Sequence, residues 1–215
     1  MKNRKETIRI LDELKKYYPE AKGSLDFNNA FQLAVAVLLS AQCTDKRVNE
    51  VTPKLFSKAP NATEMAKLTQ EEIEKYVRPC GFYKNKSKNI LKMSKQIVEK
   101  HGGEVPKTME ELTALAGIGR KSANVIMLQA FNNPEGVAID THARRICNRL
   151  GISYEQDPNK IEKELLKKIE ERQIHYANHV FVIFGRDKCK ARNPQCESCP
   201  VKKDCEYIKE IEKNK

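Results

Sequence analysis

Three features of this chain have residue types and spacings suited to chemistry. The first is a lysine behind two glycines, in Leu-Ala-Gly-Ile-Gly-Arg-Lys-Ser from Leu115 to Ser122. Glu111 to Leu115 and Arg120 to Phe131 both read as helical, so Ala116, Gly117, Ile118 and Gly119 close a tight helix-hairpin-helix. Glycine tolerates positive φ and lets a backbone approach a partner closely. A helix opening there offers N–H groups and a positive dipole end to a phosphate. Such a contact holds the backbone of a nucleic acid without reading its sequence. A P-loop is excluded, because it needs Gly-Lys-Ser/Thr after a strand. Here Arg120 separates Gly119 from Lys121, and a helix precedes the glycines. An ordinary glycine-turn hairpin has the same spelling. Lys121 falls in the first turn of the second helix, where a positive dipole end disfavours an ammonium. Desolvation would act the same way, and both would release a nucleophilic amine. A solvated lysine touching phosphate fits the position equally well.

The second feature is Asp140, which stands where an N-cap belongs, ahead of the helical run Thr141 to Leu150 that Gly151 closes. A cap holds a carboxylate rigidly, and that suits either plain capping or acid–base work. The third is Cys189-x6-Cys196-x2-Cys199-x5-Cys205. Four thiolates close one tetrahedral ion site or one iron–sulfur cluster. Structural zinc usually takes two tight Cys pairs, and this tail has one, so the spacing leans toward a cluster. Lys188, Lys190 and Arg192 flank the first cysteine and could face a phosphate backbone. Cys43, Cys80 and Cys147 read as buried or inert thiols. His175 and His179 lie four apart without the Glu of a zinc-protease motif, and read as ordinary core or surface histidines.

The elements that must position these residues are helices. Apolar residues recur at helical spacing almost throughout, and strand alternation is nearly absent. Ile8, Leu11, Leu14 and Tyr18 make one face of a first helix, and Phe31 to Leu39 is apolar on every side, as a buried central helix requires. Thr69 with Glu72 and Thr108 with Glu111 spell capping boxes. Arg78 to Tyr83 is a connection, and Ile90, Ser94, Ile97 and Val98 line the helix that His101-Gly102-Gly103 stops. Val137 to Ile139 is short and extended, Asp157-Pro158 opens a further helix, and His175 to Phe184 is the last apolar helix, ended by Gly185. The expectation is an all-α protein in two lobes that meet near residue 133. The chain has 215 residues, enough to bury a sizeable core, and a net charge of +11, which points to a polyanionic partner. It opens on charged residues with no secretory signal, and the run Phe31 to Leu39 is too short to span a bilayer. With seven cysteines, the reading is of a cytoplasmic protein with no membrane partner, its thiols reduced or metal-bound.

Five stretches together resemble the endonuclease III family of DNA glycosylases. They are Leu38 to Gln42, Gly81 to Ile90, the hairpin from Leu115 to Ile126, Val137 to His142, and the four-cysteine tail. The resemblance runs in family order over nearly the whole chain. It implies a six-helix barrel domain at 23–133 with the helix-hairpin-helix at about 109–128. It also implies an iron–sulfur domain built from 1–22 with 134–215, its cluster loop at 189–205. The activity implied is removal of oxidised pyrimidines from duplex DNA by Lys121, with Asp140 assisting, followed by strand cleavage at the abasic site. A [4Fe–4S] cluster maps onto Cys189, Cys196, Cys199 and Cys205. Gln42 and Phe82 would fill the hole left by a flipped nucleotide, Gly117, Ile118 and Gly119 would grip a phosphate, and Lys190 and Arg192 would touch DNA. The implied protein is a nucleoid-associated monomer. Two departures stand out: the hairpin commonly begins Leu-Pro-Gly and here has Ala116, which would loosen it without removing a donor, and Asn193 occupies a loop position where a basic residue can occur.

Two rival functions remain at this stage. A monofunctional mispair glycosylase of the adenine-removing type keeps the aspartate and the cluster but usually lacks the lysine. It also carries an extra C-terminal domain, for which the ten residues after Cys205 leave no room. A non-enzymatic iron–sulfur DNA-binding protein would need the hairpin and the charge, but neither Lys121 nor Asp140.

Overall fold

A computed structural model describes residues 1–213. Among them are twelve α-helices and two short 3₁₀ turns, with no strand, in line with the all-α expectation. The chain divides into two compact units, Ser24–Asn133 and the combination of Met1–Gly23 with Pro134–Lys215. No helix of the described residues is long and apolar enough to cross a membrane.

The unit Ser24–Asn133 is built around one helix. Helix α1 (Arg4–Tyr17) belongs to the other unit, so the first helix here is α2 (Ala30–Ser40). Every residue from Phe31 to Leu39 is buried, as the all-round apolar sequence requires. Around it pack α3 (Asp45–Lys58), α4 (Ala62–Ala66), α5 (Gln70–Val77), α6 (Tyr83–His101), α7 (Met109–Thr113) and α8 (Arg120–Phe131). Local chemistry sets most of the starts. Asn29, Thr44, Asn61, Thr69 and Thr108 each cap a helix through a side-chain oxygen, a bond worth about 1 kcal/mol. The box at Thr69 and Glu72 is reciprocal. At Thr108 it is one-sided, because the Glu111 carboxylate takes the Thr108 hydroxyl at 2.7 Å instead of the backbone N–H. Arg78–Cys80 forms a 3₁₀ turn inside the connection read from sequence, and Gly102 ends α6 in the left-handed region.

The other unit packs α1, α9 (Thr141–Leu150), α10 (Pro158–Leu166), α11 (Glu171–Asp187) and α12 (Glu206–Lys213) around a second core. Asp140 caps α9, Gly151 closes it with φ of 75°, and Asp157 with Pro158 opens α10. Three readings need correcting. The inner face of α1 is Thr7, Ile10, Leu11 and Leu14, and Ile8 is only half-buried. Gly185 does not end α11, which runs on to Asp187. The glycine serves packing: a Cβ there would lie 2.7 Å from His142 Nδ1 and 2.9 Å from His142 Cβ, so α11 and α9 meet at this point. The tail after the cysteines forms α12, whose apolar Tyr207 and Ile208 pack on the second core.

His179, on α11, is 8% exposed, and burial together with repulsion from His175 pushes its pKa down to about 4. An unfolded histidine titrates near 6.5. Between those values the unfolded chain binds a proton that the folded chain refuses, so stability falls as pH drops through the window. Thermal melts between pH 7 and pH 5 are expected to show this loss in the wild type and a flatter profile in His179→Gln.

Candidate functional site

In the unit Ser24–Asn133, the hairpin is fixed from below and open above. Leu115 and Ile118 are buried in the core, so Ile118 can offer a partner only its backbone. Gly117 has φ of 79°, and a Cβ there would meet Leu38 Cδ1 at 2.9 Å and Asn89 Cβ at 3.1 Å. Both the backbone conformation and the space demand glycine. Gly119 is different. Its φ is ordinary, and a Cβ would meet nothing within 4 Å. It serves as N-cap of α8 without any side chain to bond the first turn, unlike the Asn and Thr caps elsewhere in this unit. Lys121 sits in that turn and is exposed. The desolvation expected of it is therefore not met in the protein alone, because the buried face of α8 begins at Ala123.

Ala116 does not loosen the hairpin. Its N–H donates to Gln96 Oε1 at 2.8 Å, and Gln96 Nε2 donates to Ala114 O at 3.1 Å. A proline at this position would have no N–H to give. One amide side chain on α6 thus clamps the stretch of chain that enters the turn.

Gln42 and Phe82 share a feature that no sequence rule gave. Among the described residues, four non-glycine residues have positive φ: Gln42 at 52°, Phe82 at 46°, Asn132 and Asn193 at 51°. Asparagine tolerates this region, whereas other L-residues pay about 1–2 kcal/mol. The Asn193 departure thus has a backbone reason. Gln42 is exposed, and Phe82 is 65% exposed, so neither is held there by burial of its side chain. Strain of this kind gathers at ligand sites.

Beneath both lies Lys86, buried to 5% exposure. Its Nζ donates to Leu39 O at 2.9 Å and to Cys80 O at 2.8 Å, joining the end of α2 to the turn before Phe82. Burial lowers its pKa. Sequence reading missed Lys86, Asn89 and Gln96. The signal for Lys86 was present: it shares a helical stripe with Ile90, Met93 and Ile97, all fully buried.

In the second unit, Asp140 Oδ1 accepts from Ala143 N at 2.8 Å, so the capping bond engages one of the two carboxylate oxygens. The same helix reaches the cysteine loop through two arginines that sequence reading missed. Arg145 donates to Cys189 O at 3.0 Å and Gly185 O at 3.1 Å, and its Nη2 lies 3.1 Å from His142 Nδ1. Burial lowers the His142 pKa, with Asp140 opposing and Arg145 and Arg186 reinforcing the shift. Arg149 donates to Lys190 O at 2.7 Å and Ala191 O at 3.1 Å, and its Nη1 lies 3.5 Å from Cys189 Sγ. Lys190 and Arg192 are exposed on that loop.

Cys189, Cys196, Cys199 and Cys205 line one cavity, with Leu150, Phe184 and Ile208 as apolar wall. Burial pushes Cys199 up to about 11, against a backbone hydrogen bond from Val201, and the other three cysteines add repulsion. Cys196 and Cys205 are raised by the same burial and crowding. Thiols raised this way lose their protons when metal charge offsets the burial. Among the described residues, no three Cys, His, Asp or Glu side chains converge on a point that could hold one ion. A four-iron cluster takes one thiolate at each iron, and four separate sulfurs around one cavity fit it.

Residues 35–171 match the HhH-GPD superfamily of base excision DNA repair proteins, and residues 189–205 match the iron-sulfur binding domain of endonuclease III. Endonuclease III of Synechocystis sp. is 45% identical over 91% of this chain and 90% of its own. The chain belongs to the endonuclease III family. Endonuclease III in a non-covalent complex with DNA superposes with a TM-score of 0.92 at 39% identity, covering 99% of this chain and 100% of that one. In a trapped covalent DNA intermediate the TM-score is 0.93 at the same identity and coverage. As a member of the endonuclease III family, the chain is a base-excision DNA repair enzyme, a DNA glycosylase and abasic-site lyase with a [4Fe–4S] cluster.

Removal of the Gln96 clamp is expected to loosen the hairpin. Gln96→Ala should lose about 1 kcal/mol per hydrogen bond, seen as a lower melting temperature. Hydrogen exchange at the Ala116 amide should rise in the same variant.

Proposed function

We propose that the enzyme excises oxidised pyrimidines from duplex DNA and then cuts the strand 3′ to the abasic site. The observation that carries this reading is Lys121 in the first, uncapped turn of α8, directly behind the open Gly119. Amides of that turn take a phosphate beside the lesion, fixing the strand with the lysine amine near its sugar. The damaged nucleotide leaves the stack. Phe82 and Gln42 enter the hole, which gives their left-handed backbone a purpose.

The chemistry follows from the two side chains. Lys121 Nζ attacks C1′, and the bond from C1′ to the base breaks, the base leaving with the electron pair and a proton. The sugar ring opens to a Schiff base, which acidifies C2′. Loss of that proton expels the 3′ phosphate by breaking the C3′–O bond. Asp140, held by its cap, accepts the lysine proton or stabilises the sugar cation as the base departs.

Cys189, Cys196, Cys199 and Cys205 hold the cluster, which supplies structure to the loop bearing Lys190 and Arg192. Those two side chains add phosphate contacts. Residues 23–133 act as the hairpin domain and residues 1–22 with 134–215 as the cluster domain. The enzyme works as a monomer on nucleoid DNA. The presence of Lys121 supports this reading over a monofunctional mispair glycosylase, and Lys121 with Asp140 supports it over a DNA-binding protein without activity.

Borohydride is expected to trap the wild-type protein covalently on an oligonucleotide containing thymine glycol. Lys121→Gln should lose trapping while keeping DNA affinity within a few-fold. Strong trapping by that variant would remove Lys121 from its assigned role.

A further inference from the structure

Cys43 and Cys80 have no part in the chemistry above. Cys43 follows Gln42 after α2, and Cys80 ends the 3₁₀ turn two residues before Phe82. Far apart in sequence, they are neighbours in the fold: both pack on the same core, Lys86 Nζ ties the end of α2 just before Cys43 to the Cys80 carbonyl, and the Cys43 side chain is near enough to help raise the Cys80 pKa. Cys80 is 2% exposed and Cys43 is half-buried. The pair therefore has an outer member that a solute can reach and an inner member that faces its partner. Both segments are held in place. Lys86 Nζ bonds Leu39 O and Cys80 O, and Cys43 N donates to Ser40 O at 3.1 Å. Cys147, by contrast, is fully buried, and the four remaining cysteines line the cluster cavity.

We propose that Cys43 and Cys80 form a reversible modification site. It exchanges with low-molecular-weight disulfides, of which oxidised glutathione is the type, and closes to an intramolecular disulfide between the turns that carry Gln42 and Phe82. The Cys43 thiolate attacks one sulfur of the small disulfide. A bond forms to Cys43 as the small disulfide breaks, and the released thiolate takes up a proton. The Cys80 thiol gives up its proton and attacks the Cys43 sulfur, displacing the second small thiol. Both protein thiols are oxidised, and one small disulfide is reduced to two thiols. Burial and the Cys43 neighbour push Cys80 up to about 11, while Lys86 and Arg47 pull the other way, so the Cys80 thiol gives up its proton as it attacks.

A disulfide brings its sulfurs to about 2.0 Å, closer than any two free thiols can lie, so closure draws the two turns together. A displacement on the order of 1 Å in positioning residues can slow a reaction by up to about 100-fold. This consequence rests on the reading of Gln42 and Phe82 as the residues that fill the hole.

The test treats the cluster-loaded full chain with oxidised glutathione, following the cluster by its visible absorption. Free thiols are then alkylated and the peptides mapped without reduction. The expected product is a peptide pair joined through Cys43 and Cys80, released by dithiothreitol. Cys80→Ser should stop at a glutathione adduct on Cys43. Glutathione persisting on wild-type Cys43 with no cross-link, or no reaction at either thiol, would overturn the proposal. The cross-linked protein should excise thymine glycol about 10-fold more slowly, with recovery on reduction. An unchanged rate overturns the link to the turns where Phe82→Ala is slow in the same assay. If Phe82→Ala is as fast as wild type, the hole-filling reading fails and the mapped cross-link stands on its own.

Discussion

One buried ammonium organises the hairpin-bearing unit. Lys86 Nζ is taken out of water and given two backbone carbonyls, from Leu39 and Cys80, in place of its hydration. Burying a charge is tolerable only with such partners. The result is that the end of the central helix and the turn before α6 cannot move independently. Gln42 and Phe82 project from those two segments with strained backbone and exposed side chains. The same helix, α6, places Asn89 against Gly117 and Gln96 on the backbone entering the hairpin. A single helix thus carries the supports for both the proposed phosphate grip and the residues assigned to the hole.

The second unit solves a similar problem with α9. Its first residue is preceded by the capping carboxylate of Asp140, and its later turns send Arg145 and Arg149 to the carbonyls of the cysteine loop. The guanidinium fork can bond several carbonyls at once. That is why two arginines can hold a loop of little regular structure, from Cys189 to Ala191. Gly185 lets α11 approach α9 where these bonds form. The cluster cavity and the catalytic carboxylate proposed above are therefore positioned by one helix, at its opposite ends.

How much of this was legible depended on the range of the interactions. Asp140 as a cap, Asp157-Pro158 as a helix start and Gly151 as a stop were readable because each acts on its own helix. The buried α2 was readable because its whole circumference is apolar. Ile8 was favoured over Thr7 and Ile10 because periodicity fixes a face only to within one residue, and Thr7 hides its hydroxyl by bonding Asn3 O. Gly185 read as a stop because its tight neighbour, His142, lies far away in sequence. Lys86 was missed although it lies on the buried stripe of α6, because a lysine is seldom buried and its neighbours in sequence do not show the two carbonyls that take its ammonium. The left-handed turn at Phe82 is likewise a product of tertiary fixing. Spacing alone left zinc and cluster both open, and the match of residues 189–205 to the iron-sulfur binding domain of endonuclease III decides for the cluster.

The most direct measurement of the central claim is a crystal structure of this protein after borohydride reduction on duplex DNA with a damaged pyrimidine. The account predicts a bond between Lys121 Nζ and C1′ of the lesion sugar, a phosphate on the first-turn amides of α8, and Phe82 with Gln42 in the vacated stack. A bond from another lysine, or a stack closed without Phe82 and Gln42, would contradict it.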